Sequence, residues 1–355
     1  MTPPSRLVVR VPNWLGDVVM ALPALAAVRA GLGEGHLALA GPAGFADLLG
    51  SMPGVDEVVR LPVASGLGRV RAFREGAARI AAGRYDAALL FTNSFSSSWQ
   101  VARAGVPERW GYASDLRHMW LTRAVDRRPA RPADPPARHH SNYYRRLVAT
   151  LGFPEPSPGA ARLACPPAIA ERGLRVLVER GACCDRPVIG LAPGAAYGHA
   201  KRWPPALAAA LVARIVSQTS AVVVIVGAAG DHDTARQLQS AIGAAGGQAA
   251  GRVIDLVGQT SLAELMGVVA ACRAFVSNDS GVMHLSSALG VPVVAAFGPT
   301  DERATAPLGP HRVVTAPSWC RPCQLRECPI DHHCMRGIAP DTVFGALADV
   351  LAEGA

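Results

Sequence analysis

Lys201 is the only lysine in a chain of 355 residues, in which the other 34 basic residues are arginines. It lies in the segment PGAAYGHAKRWP (193–204), between a short apolar run and a helix-like stretch. Gly194 and Ala195 are small enough for backbone amides to approach a phosphate. The ammonium group of lysine is a compact, mobile charge, whereas the guanidinium group of arginine is planar and forked. The segment, with Arg202, therefore predicts a phosphate site in which Lys201 stabilises a leaving group. The alternative is that one lysine survives by chance in an arginine-biased chain.

A carboxylate stands near the start of the chain, in the segment VRVPNWLGDVVMALPAL (9–25). An apolar strand runs into Asn13, Gly16 permits a tight turn, and we expect a helix from about Val18. Asp17 is then either the residue that caps this helix, as aspartate often does, or a general base that projects from the strand end. Asn13 and Gly16 are candidate substrate contacts beside it.

A third candidate site lies in the segment FVSNDSGVMHLSSALGVPVVAAFGPTD (275–301). A strand ends at Asp279, Ser280 and Gly281 turn the chain, and a helix follows. The free amides at such a helix start, with the helix dipole behind them, predict an anion site. Asp279 can accept hydrogen bonds from sugar hydroxyls. His284 falls one turn into the helix, where a histidine is either a ligand contact or, more often, a packed core residue.

Two further carboxylates follow the apolar run in VGAAGDHD (226–233). Acidic residues after strands hold ribose hydroxyls in nucleotide-binding folds, so Asp231 and Asp233 are candidates for this role. Both can equally be helix caps.

A cysteine-rich segment, WCRPCQLRECPIDHHC, lies near the end of the chain. The CxxC pair with further Cys and His nearby has zinc-like spacing. The gaps after this pair depart from those of a zinc finger, so a reduced loop or one local disulfide is the alternative. The four cysteines are Cys320, Cys323, Cys328 and Cys334.

Short apolar runs that follow one another along the chain must position these residues. Helix-like stretches separate them, with apolar residues spaced by three and four, as in LAELMGVVAACR (262–273). Apolar strands that alternate with helices indicate parallel sheets covered on both faces. The strand-like runs are 7–12, 36–41, 57–62 and 86–91 in the first half and 187–194, 221–228, 253–258, 274–279 and 292–299 in the second.

The segment FPEPSPGAARLACPP (153–167) separates these two series and has the composition of a linker. The sequence thus predicts two doubly wound α/β domains, in which ligands bind at the carboxyl ends of strands. We expect the first domain over 1–160 and the second domain over 170–338. The last helix, within 339–355, is expected to return to the first domain.

The charge of the chain is uneven. Residues 1–165 hold 20 arginines and 12 acidic residues, whereas the remainder is balanced, so the formal charge of +8 arises in the first half. Nine arginines and three aspartates lie between Arg109 and Arg146. Such a stretch attracts an anionic partner or is a solvated surface. We find no apolar run long enough to span a membrane and no signal peptide, and therefore expect a cytoplasmic protein.

Together and in this order, the first three segments and the tail CRPCQLRECPIDHHCMRGIAP resemble the ADP-heptose:lipopolysaccharide heptosyltransferases of glycosyltransferase family 9, most of all the type II enzymes. The similarity covers nearly the whole chain. It implies a GT-B fold, in which two Rossmann-like domains face each other across a cleft. In such a fold the domain over 1–160 would bind the acceptor and the domain over 170–338 would bind the nucleotide sugar. It also implies an inverting transfer of L-glycero-D-manno-heptose from ADP-heptose to the inner core of lipopolysaccharide, with no metal and no cofactor.

The resemblance carries roles over to particular positions. Asp17 would be the catalytic base, Lys201 would contact the diphosphate, and Asp279, Ser280 and Gly281 would hold the heptose and the phosphates. The basic stretch 109–146 would then face an anionic lipopolysaccharide precursor, with the enzyme cytoplasmic or peripheral on the inner face of the inner membrane.

Three other classes of protein compete with this interpretation. A nucleotide-sugar epimerase on a similar two-domain fold would need no lipid acceptor. A basic nucleic-acid-binding protein with a zinc element should interleave basic and aromatic residues, and only 5% of this chain is aromatic. A dinucleotide oxidoreductase is disfavoured because no GxGxxG follows the first strand.

Overall fold

The computed structural model describes residues 3–114, 116–127, 138–156, 159, 161–182, 185–244 and 250–353. The chain divides into two units, Met1–Ala164 and Cys165–Ala355. The division falls inside the segment 153–167 that has the composition of a linker.

Unit 1 is built on one parallel sheet of six strands, with the order β3-β2-β1-β4-β5-β6. The strands are β1 (Arg6–Arg10), β2 (His36–Pro42), β3 (Glu57–Leu61), β4 (Ala87–Leu90), β5 (Glu108–Ala113) and β6 (Arg123–Asp126). The helices are α1 (Leu15–Met20), α2 (Leu22–Leu32), α3 (Ala46–Gly50), α4 (Gly68–Ala82), α5 (Phe95–Arg103) and α6 (Ser141–Thr150). The order reverses at β1 and β4, so the carboxyl end of β1 lies at the switch point, where open α/β sheets bind ligands.

Unit 2 repeats this plan in a second parallel sheet, with the order β12-β11-β10-β7-β8-β9. Its strands are β7 (Val188–Ala192), β8 (Val222–Ile225), β9 (Val253–Asp255), β10 (Ala274–Asn278), β11 (Val293–Phe297) and β12 (His311–Thr315). The helices are α7 (Pro167–Glu179), α8 (Pro205–Gln218), α9 (His232–Ala244), α10 (Leu262–Ala270), α11 (Gly281–Ala288), α12 (Glu302–Thr305), α13 (His333–Arg336) and α14 (Pro340–Glu353). Strands β7 and β10 are neighbours at the switch point of this sheet.

Apolar layers cover both faces of the second sheet, because β-branched side chains alternate between its two faces along each strand. Val223 and Ile225 join the core formed with α8 and α14, whereas Val222 and Val224 join the core on the opposite face. On that opposite face α7 and α10 pack so closely that a Cβ at Gly173 would clash with the α10 backbone. Because apolar residues cover both faces of the sheet, the polar side chains of the site lie at the ends of the strands.

The prediction of two doubly wound α/β domains is confirmed by these two sheets. Three strands were not predicted: β5, β6 and β12. The sequences ERWGYA, RAVD and HRVVT lack a continuous apolar run, and β6 and β12 are edge strands that need apolar residues on fewer sides.

The position of α14 differs from the expectation that the last helix returns to the first domain. Its buried residues Val343, Leu347 and Val350 belong to the core of unit 2, beside α8. The apolar stripe of this helix thus covers the sheet that immediately precedes it in the chain.

Within the described ranges, no helix combines the length and the hydrophobicity that a membrane span requires.

Candidate active site

The end of β1 carries a buried cation. Arg10 is almost completely buried, and its Nη1 donates to the carbonyl oxygen of Val11 at 2.6 Å. Its Nη2 donates to Oδ1 of Asn13 at 2.8 Å. Burial lowers the pKa of Arg10 to about 10, so the guanidinium is still charged at neutral pH. Arg10 therefore orients Asn13, a predicted substrate contact, and places a positive charge under the strand end.

Asp17 lies inside α1 instead of capping it. The helix begins at Leu15 with Trp14 as its N-cap residue, three residues before the expected start, which puts Asp17 in the first turn. Its side chain is half-buried, and Oδ1 lies 3.7 Å from Nε2 of His140. The interpretation of Asp17 as the cap of this helix was wrong, because the chain turns at Trp14 and not at Gly16.

Aromatic side chains surround His140, the residue that caps α6. Its ring stacks on that of Tyr143 with centroids 5.5 Å apart, and its Nε2 lies 3.4 Å from the Tyr144 hydroxyl. The Tyr143 hydroxyl donates to Oδ1 of Asn93 at 2.7 Å, which ties this cluster to the end of β4. The imidazole is thus held in one orientation beside the Asp17 carboxylate.

The protonation of His140 follows from its surroundings. Burial lowers the pKa of the imidazole, Asp17 raises it, and Arg127 lowers it, with a net lowering. His140 is therefore neutral at neutral pH. A carboxylate beside a neutral imidazole is an arrangement that can accept a proton from a substrate hydroxyl.

Lys201 lies in unit 2 and forms a buried ion pair. Its Nζ donates to Oδ2 of Asp279 at 2.6 Å, and the two side chains are only 11% and 5% exposed. The Nζ also lies 4.6 Å from the centre of the Tyr197 ring, within cation–π range. The structure thus brings together two residues that the sequence assigned to neighbouring parts of one ligand, the diphosphate and the heptose.

Asn278, which the sequence did not single out, joins the Lys201 segment to β10. Its Nδ2 donates to the carbonyl oxygen of Pro193 at 2.8 Å, and its Oδ1 accepts from the backbone amide of Trp203 at 3.3 Å. Asn278 is almost completely buried. This side chain therefore fixes both ends of the segment that carries Lys201.

Asp231 and Arg202 form a second charged contact at the same strand ends. Nη2 of Arg202 lies 3.7 Å from Oδ1 of Asp231, whose Oδ2 accepts from the amide of Ala228 at 3.1 Å. The Asp231 carboxylate also fills the space above Gly194, where a Cβ would clash with it. Gly194 is thus required by close packing. Asp233 lies apart from this cluster, exposed in α9 and paired with Arg236.

The remaining predicted contacts lie at or near the start of α11. Ser280 is the N-cap residue, its hydroxyl lies 3.0 Å from that of Ser277, and its side chain does not cap the helix. Gly281 opens the helix, so its amide has no partner within the helix, as at every helix start. His284 is buried one turn later, and Ala195 is buried in the Lys201 segment.

The cysteine-rich loop borders the Lys201 segment. The Tyr197 hydroxyl donates to the carbonyl oxygen of Gln324 at 3.0 Å, and the amide of Ala200 donates to that of Arg326 at 2.9 Å. Gly198 packs so tightly on the Arg326 backbone that a Cβ would clash. This loop therefore supports the position of Lys201.

The loop cysteines are free thiols in the structure: Cys320, Cys323, Cys328 and Cys334. Burial and the neighbouring Cys320 raise the pKa of the Cys334 thiol, which keeps it protonated. Among the residues that the structure describes, no three His, Cys, Asp or Glu side chains are arranged to hold a metal ion.

Two arginines of the basic stretch 109–146 donate hydrogen bonds to backbone carbonyl groups of unit 1 and thereby hold its fold. Arg109 donates to the carbonyl oxygens of Trp120 and Val106, both at 2.6 Å. Arg117 is fully buried and donates to the carbonyl oxygen of Thr92. Residues 128–137, which include the proline-rich part of this stretch, lie outside the described residues.

Comparison with known proteins places this geometry in a family. The model of glycosyltransferase family 9 (heptosyltransferase) matches residues 74–333. The chain is 31% identical over 313 residues to lipopolysaccharide heptosyltransferase 2 of Escherichia coli strain K12, covering 85% of both chains. It is 30% identical to the enzyme of the same name from Salmonella typhimurium over 311 residues, again with 85% of both chains covered.

A solved structure agrees with the family model. The structure of E. coli ADP-heptose LPS heptosyltransferase II superimposes with a TM-score of 0.80 at 27% identity, covering 98% of this chain and 99% of that one. The family model spans more than half of the chain, and the two predicted site segments around Lys201 and Asp279 fall inside it. The chain therefore belongs to glycosyltransferase family 9, the heptosyltransferases.

Proposed function

We propose that this glycosyltransferase moves heptose from ADP-heptose to the inner core of a lipopolysaccharide precursor, with Asp17 as the base and Lys201 as the cation that receives the leaving ADP. The relatives that carry the name lipopolysaccharide heptosyltransferase 2, and the superimposed ADP-heptose enzyme, support this choice of donor and acceptor. The same relationship favours sugar transfer over the epimerase and nucleic-acid alternatives.

The reaction exchanges one bond for another at the anomeric carbon. An acceptor hydroxyl attacks this carbon on the face opposite the diphosphate, and the bond between the carbon and the diphosphate oxygen breaks with its electron pair staying on ADP. The hydroxyl proton passes to the Asp17 carboxylate, which His140 orients. The product has the inverted configuration, as displacement from the opposite face requires.

Charge develops on the departing diphosphate, and the Lys201 segment supplies the groups that stabilise it. The ion pair of Lys201 with Asp279 holds the Nζ in place before the donor binds, so little reorganisation is needed during the reaction. The amides at the start of α11 and the guanidinium of Arg202 add further donors. We infer that these protein cations carry the stabilisation, so that a chelator of divalent metals leaves the rate unchanged.

The single observation that carries the proposal is the 2.6 Å contact between the only lysine and the strand-end carboxylate of Asp279 in a chain of this family. Asp279 can hold a sugar hydroxyl with its second oxygen while it directs Lys201 towards the phosphates. Asp231 and Asp233 both remain candidates for the ribose in the proposal, and the buried Asp231 beside Arg202 is the better placed of the two.

The acceptor fixes where the enzyme works. A lipopolysaccharide precursor is anchored in a bilayer, so we place the protein at the inner face of the inner membrane as a peripheral enzyme. Exposed arginines in the described part of the stretch 109–146, such as Arg146, would meet the acceptor phosphates.

A release assay tests the proposed function. ADP formation is followed with ADP-heptose as donor, with and without heptose-deficient lipopolysaccharide and with and without EDTA. Release that depends on the acceptor and tolerates EDTA supports the proposal, whereas turnover of the donor alone supports epimerisation or hydrolysis.

The unique lysine allows a direct test of its role. Reductive methylation with ¹³C-formaldehyde labels Lys201, the only lysine, and the α-amino group, and the methylated lysine keeps its charge. The signal of Lys201 is the one that is absent from the labelled Lys201→Arg variant. ADP should shift this NMR signal in a saturable manner. AMP, which lacks the second phosphate, is the control and should shift it less. An unchanged signal at saturating ADP would contradict the assignment.

A further inference from the structure

Unit 1 exposes a continuous group of large apolar side chains that we call the aromatic patch. Its exposed members come from the start of α4, from α5 and from the turn 117–120: Leu67, Val70, Phe95, Trp99 and Met119. The half-buried Phe73 of α4 lies beneath them against Trp99. The rings of Phe73 and Trp99 lie 4.5 Å apart, and those of Phe95 and Trp99 lie 6.5 Å apart. Phe95 also contacts Trp120 of the turn, at 6.2 Å. These contacts join the three elements into one surface.

The exposure of the patch is unusual for its residue types. Leu67 is fully exposed, and Val70 and Met119 are each more than 60% exposed. A single exposed apolar residue needs no explanation, but a contiguous group marks a surface that meets another apolar phase. Amphipathic aromatic rings such as that of the exposed Trp99 are the side chains that membrane interfaces favour.

Positive charge surrounds this apolar group. Arg69, Arg71 and Arg74 are exposed along α4. The only acidic residue of this helix, Glu75, is neutralised by Arg79 at the next turn. Apolar and aromatic side chains beside unneutralised arginines complement a surface that is apolar inside and anionic outside, which describes a bilayer with anionic headgroups.

The patch lies on the side of the sheet where the base lies. In a parallel sheet, the helix after a strand starts at the carboxyl end of that strand. Leu67 precedes α4 after β3, and Phe95 opens α5 after β4, so both lie at the same sheet edge as Asp17, which follows β1. Asn93, two residues before Phe95, contacts the Tyr143 of the His140 cluster.

We propose that the aromatic patch and the α4 arginines dock unit 1 on an anionic lipid bilayer, with the carboxyl edge of its sheet towards the membrane. The inference deepens the proposed function and rests on it for its purpose, since an acceptor anchored in the bilayer then reaches Asp17 without leaving the membrane. The docking residues include neither Asp17 nor any residue of the Lys201 segment.

Vesicle binding by the full chain tests the proposal. The protein is floated with vesicles of phosphatidylcholine alone and with vesicles of phosphatidylcholine and phosphatidylglycerol in equal parts, in the absence of donor and of lipopolysaccharide. We expect binding to the anionic vesicles, weaker binding to the neutral ones, and a decline with rising salt as the arginine contribution is screened.

Two pairs of substitutions separate the apolar from the ionic contribution. Leu67→Ser with Val70→Ser should lower the partition coefficient by at least about tenfold, because two exposed apolar side chains no longer enter the interface. Arg71→Gln with Arg74→Gln should lower it by about 30-fold, from about fivefold for each arginine at an anionic surface. All four residues are exposed, so folding is not at risk.

Helix α7 of unit 2 offers matched controls. Leu174 and Val178 are exposed apolar residues one turn apart, and Arg175 and Arg180 are exposed arginines of the same region. Leu174→Ser with Val178→Ser, and Arg175→Gln with Arg180→Gln, should each leave the partition coefficient within about twofold of the native value. An equal loss in both helices would show adhesion by total charge and hydrophobicity alone, and would overturn the proposal.

Two further outcomes would also overturn it. The first is that the native chain fails to float with anionic vesicles at low salt. The second is that the aromatic patch mediates self-association, which light scattering would show as a rise in mass that Leu67→Ser with Val70→Ser abolishes. Failure of the proposed function is a different result. It would appear as vesicle binding without acceptor-dependent ADP release, whereas failure of docking alone would leave release from a delipidated, soluble acceptor intact.

Discussion

Each unit places a carboxylate after one of the two strands at the switch point of its sheet, but the surroundings of the two carboxylates differ. In unit 1, Asp17 is half-buried beside His140, a histidine whose pKa is lowered by burial. In unit 2, Asp279 is buried and compensated by Lys201 at 2.6 Å. The first environment suits a group that must gain a proton, and the second suits one that must stay ionised. The same fold thus holds one carboxylate beside a neutral histidine and the other in a buried ion pair, and the proposed roles of Asp17 and Asp279 depend on this difference.

Asp17→Asn should break the first half of this comparison with the largest effect. Asparagine keeps the shape of the side chain but cannot accept the proton, so kcat should fall by about 10²–10⁴-fold. Thermal stability should change little, because the side chain is half-buried and caps no helix. The assay is acceptor-dependent ADP release, with melting followed by circular dichroism.

Asp47→Asn is the matched control for that experiment. Asp47 also lies in the first turn of a short helix of unit 1, α3, and is exposed. Its rate should equal that of the native chain. Retention of more than a tenth of the native kcat in Asp17→Asn would remove Asp17 from the role of base.

Lys201→Ala should lower both activity and stability, which distinguishes it from Asp17→Asn. Loss of one preorganised donor to the leaving group costs about 10²–10³-fold in kcat. It also leaves Asp279 as a buried carboxylate without its partner, a defect that costs about 3–5 kcal/mol of unfolding free energy. The buried ion pair of Lys201 with Asp279 is the reason that stability falls together with activity.

A double variant separates these two losses. Lys201→Met with Asp279→Asn removes both charges, so the unfolding free energy should recover most of the loss seen for Lys201→Ala, because no uncompensated charge remains. Its activity should stay as low as that of the single variant. Urea unfolding and ADP release measure the two quantities, and recovery of both would show that Lys201 serves only to neutralise Asp279.

The sequence predicts those features of the fold and of the site that depend on residues close together in the chain. The strands with continuous β-branched runs, such as β8, were predictable from the sequence. Four consecutive apolar residues indicate a strand that is buried on both faces of its sheet. The pairing of Lys201 with Asp279 was not, since the two lie 78 positions apart and meet only because β10 inserts next to β7. Local patterns do not specify strand order.

The contact between Asp17 and His140 could not be predicted from the sequence for a similar reason. His140 is part of an arginine-rich stretch whose composition indicated a surface for an anionic partner or a solvated surface, and no local spacing links it to the first helix. The signal that was present is the sequence HHSNYY, in which two histidines precede two tyrosines. Such a cluster is typical of a packed aromatic site more than of a solvated surface.

His140→Asn should sharpen the description of the first environment through its pH dependence. In the native enzyme the imidazole is neutral at neutral pH. As the pH falls through the lowered pKa of His140, its imidazolium forms and pairs with Asp17. The carboxylate is then no longer available to accept a proton from the acceptor hydroxyl. The acid limb of kcat/KM should therefore move to lower pH in the variant, towards the range of an ordinary aspartate at about 3.9.

Asparagine is a favourable N-cap residue, so the start of α6 should be preserved in this variant. The other charged or titratable groups that face His140 are Arg127, Tyr143 and Tyr144, and they are unchanged. An acid limb in the same position as that of the native enzyme would show that His140 and Asp17 titrate independently.

The smallest effects should distinguish Asp231 from Asp233, which the sequence left equivalent. Asp231→Asn keeps an acceptor for the Ala228 amide but loses the charge beside Arg202, so the KM for the donor should rise by about fivefold, the equivalent of ~1 kcal/mol for one weak ion pair. Asp233→Asn should leave KM unchanged, because Asp233 is exposed and paired only with the exposed Arg236. Initial rates at varied ADP-heptose measure both. Should Asp233→Asn prove the more damaging, the donor would contact the exposed face of α9, and the buried charges of unit 2 would serve only to hold its fold.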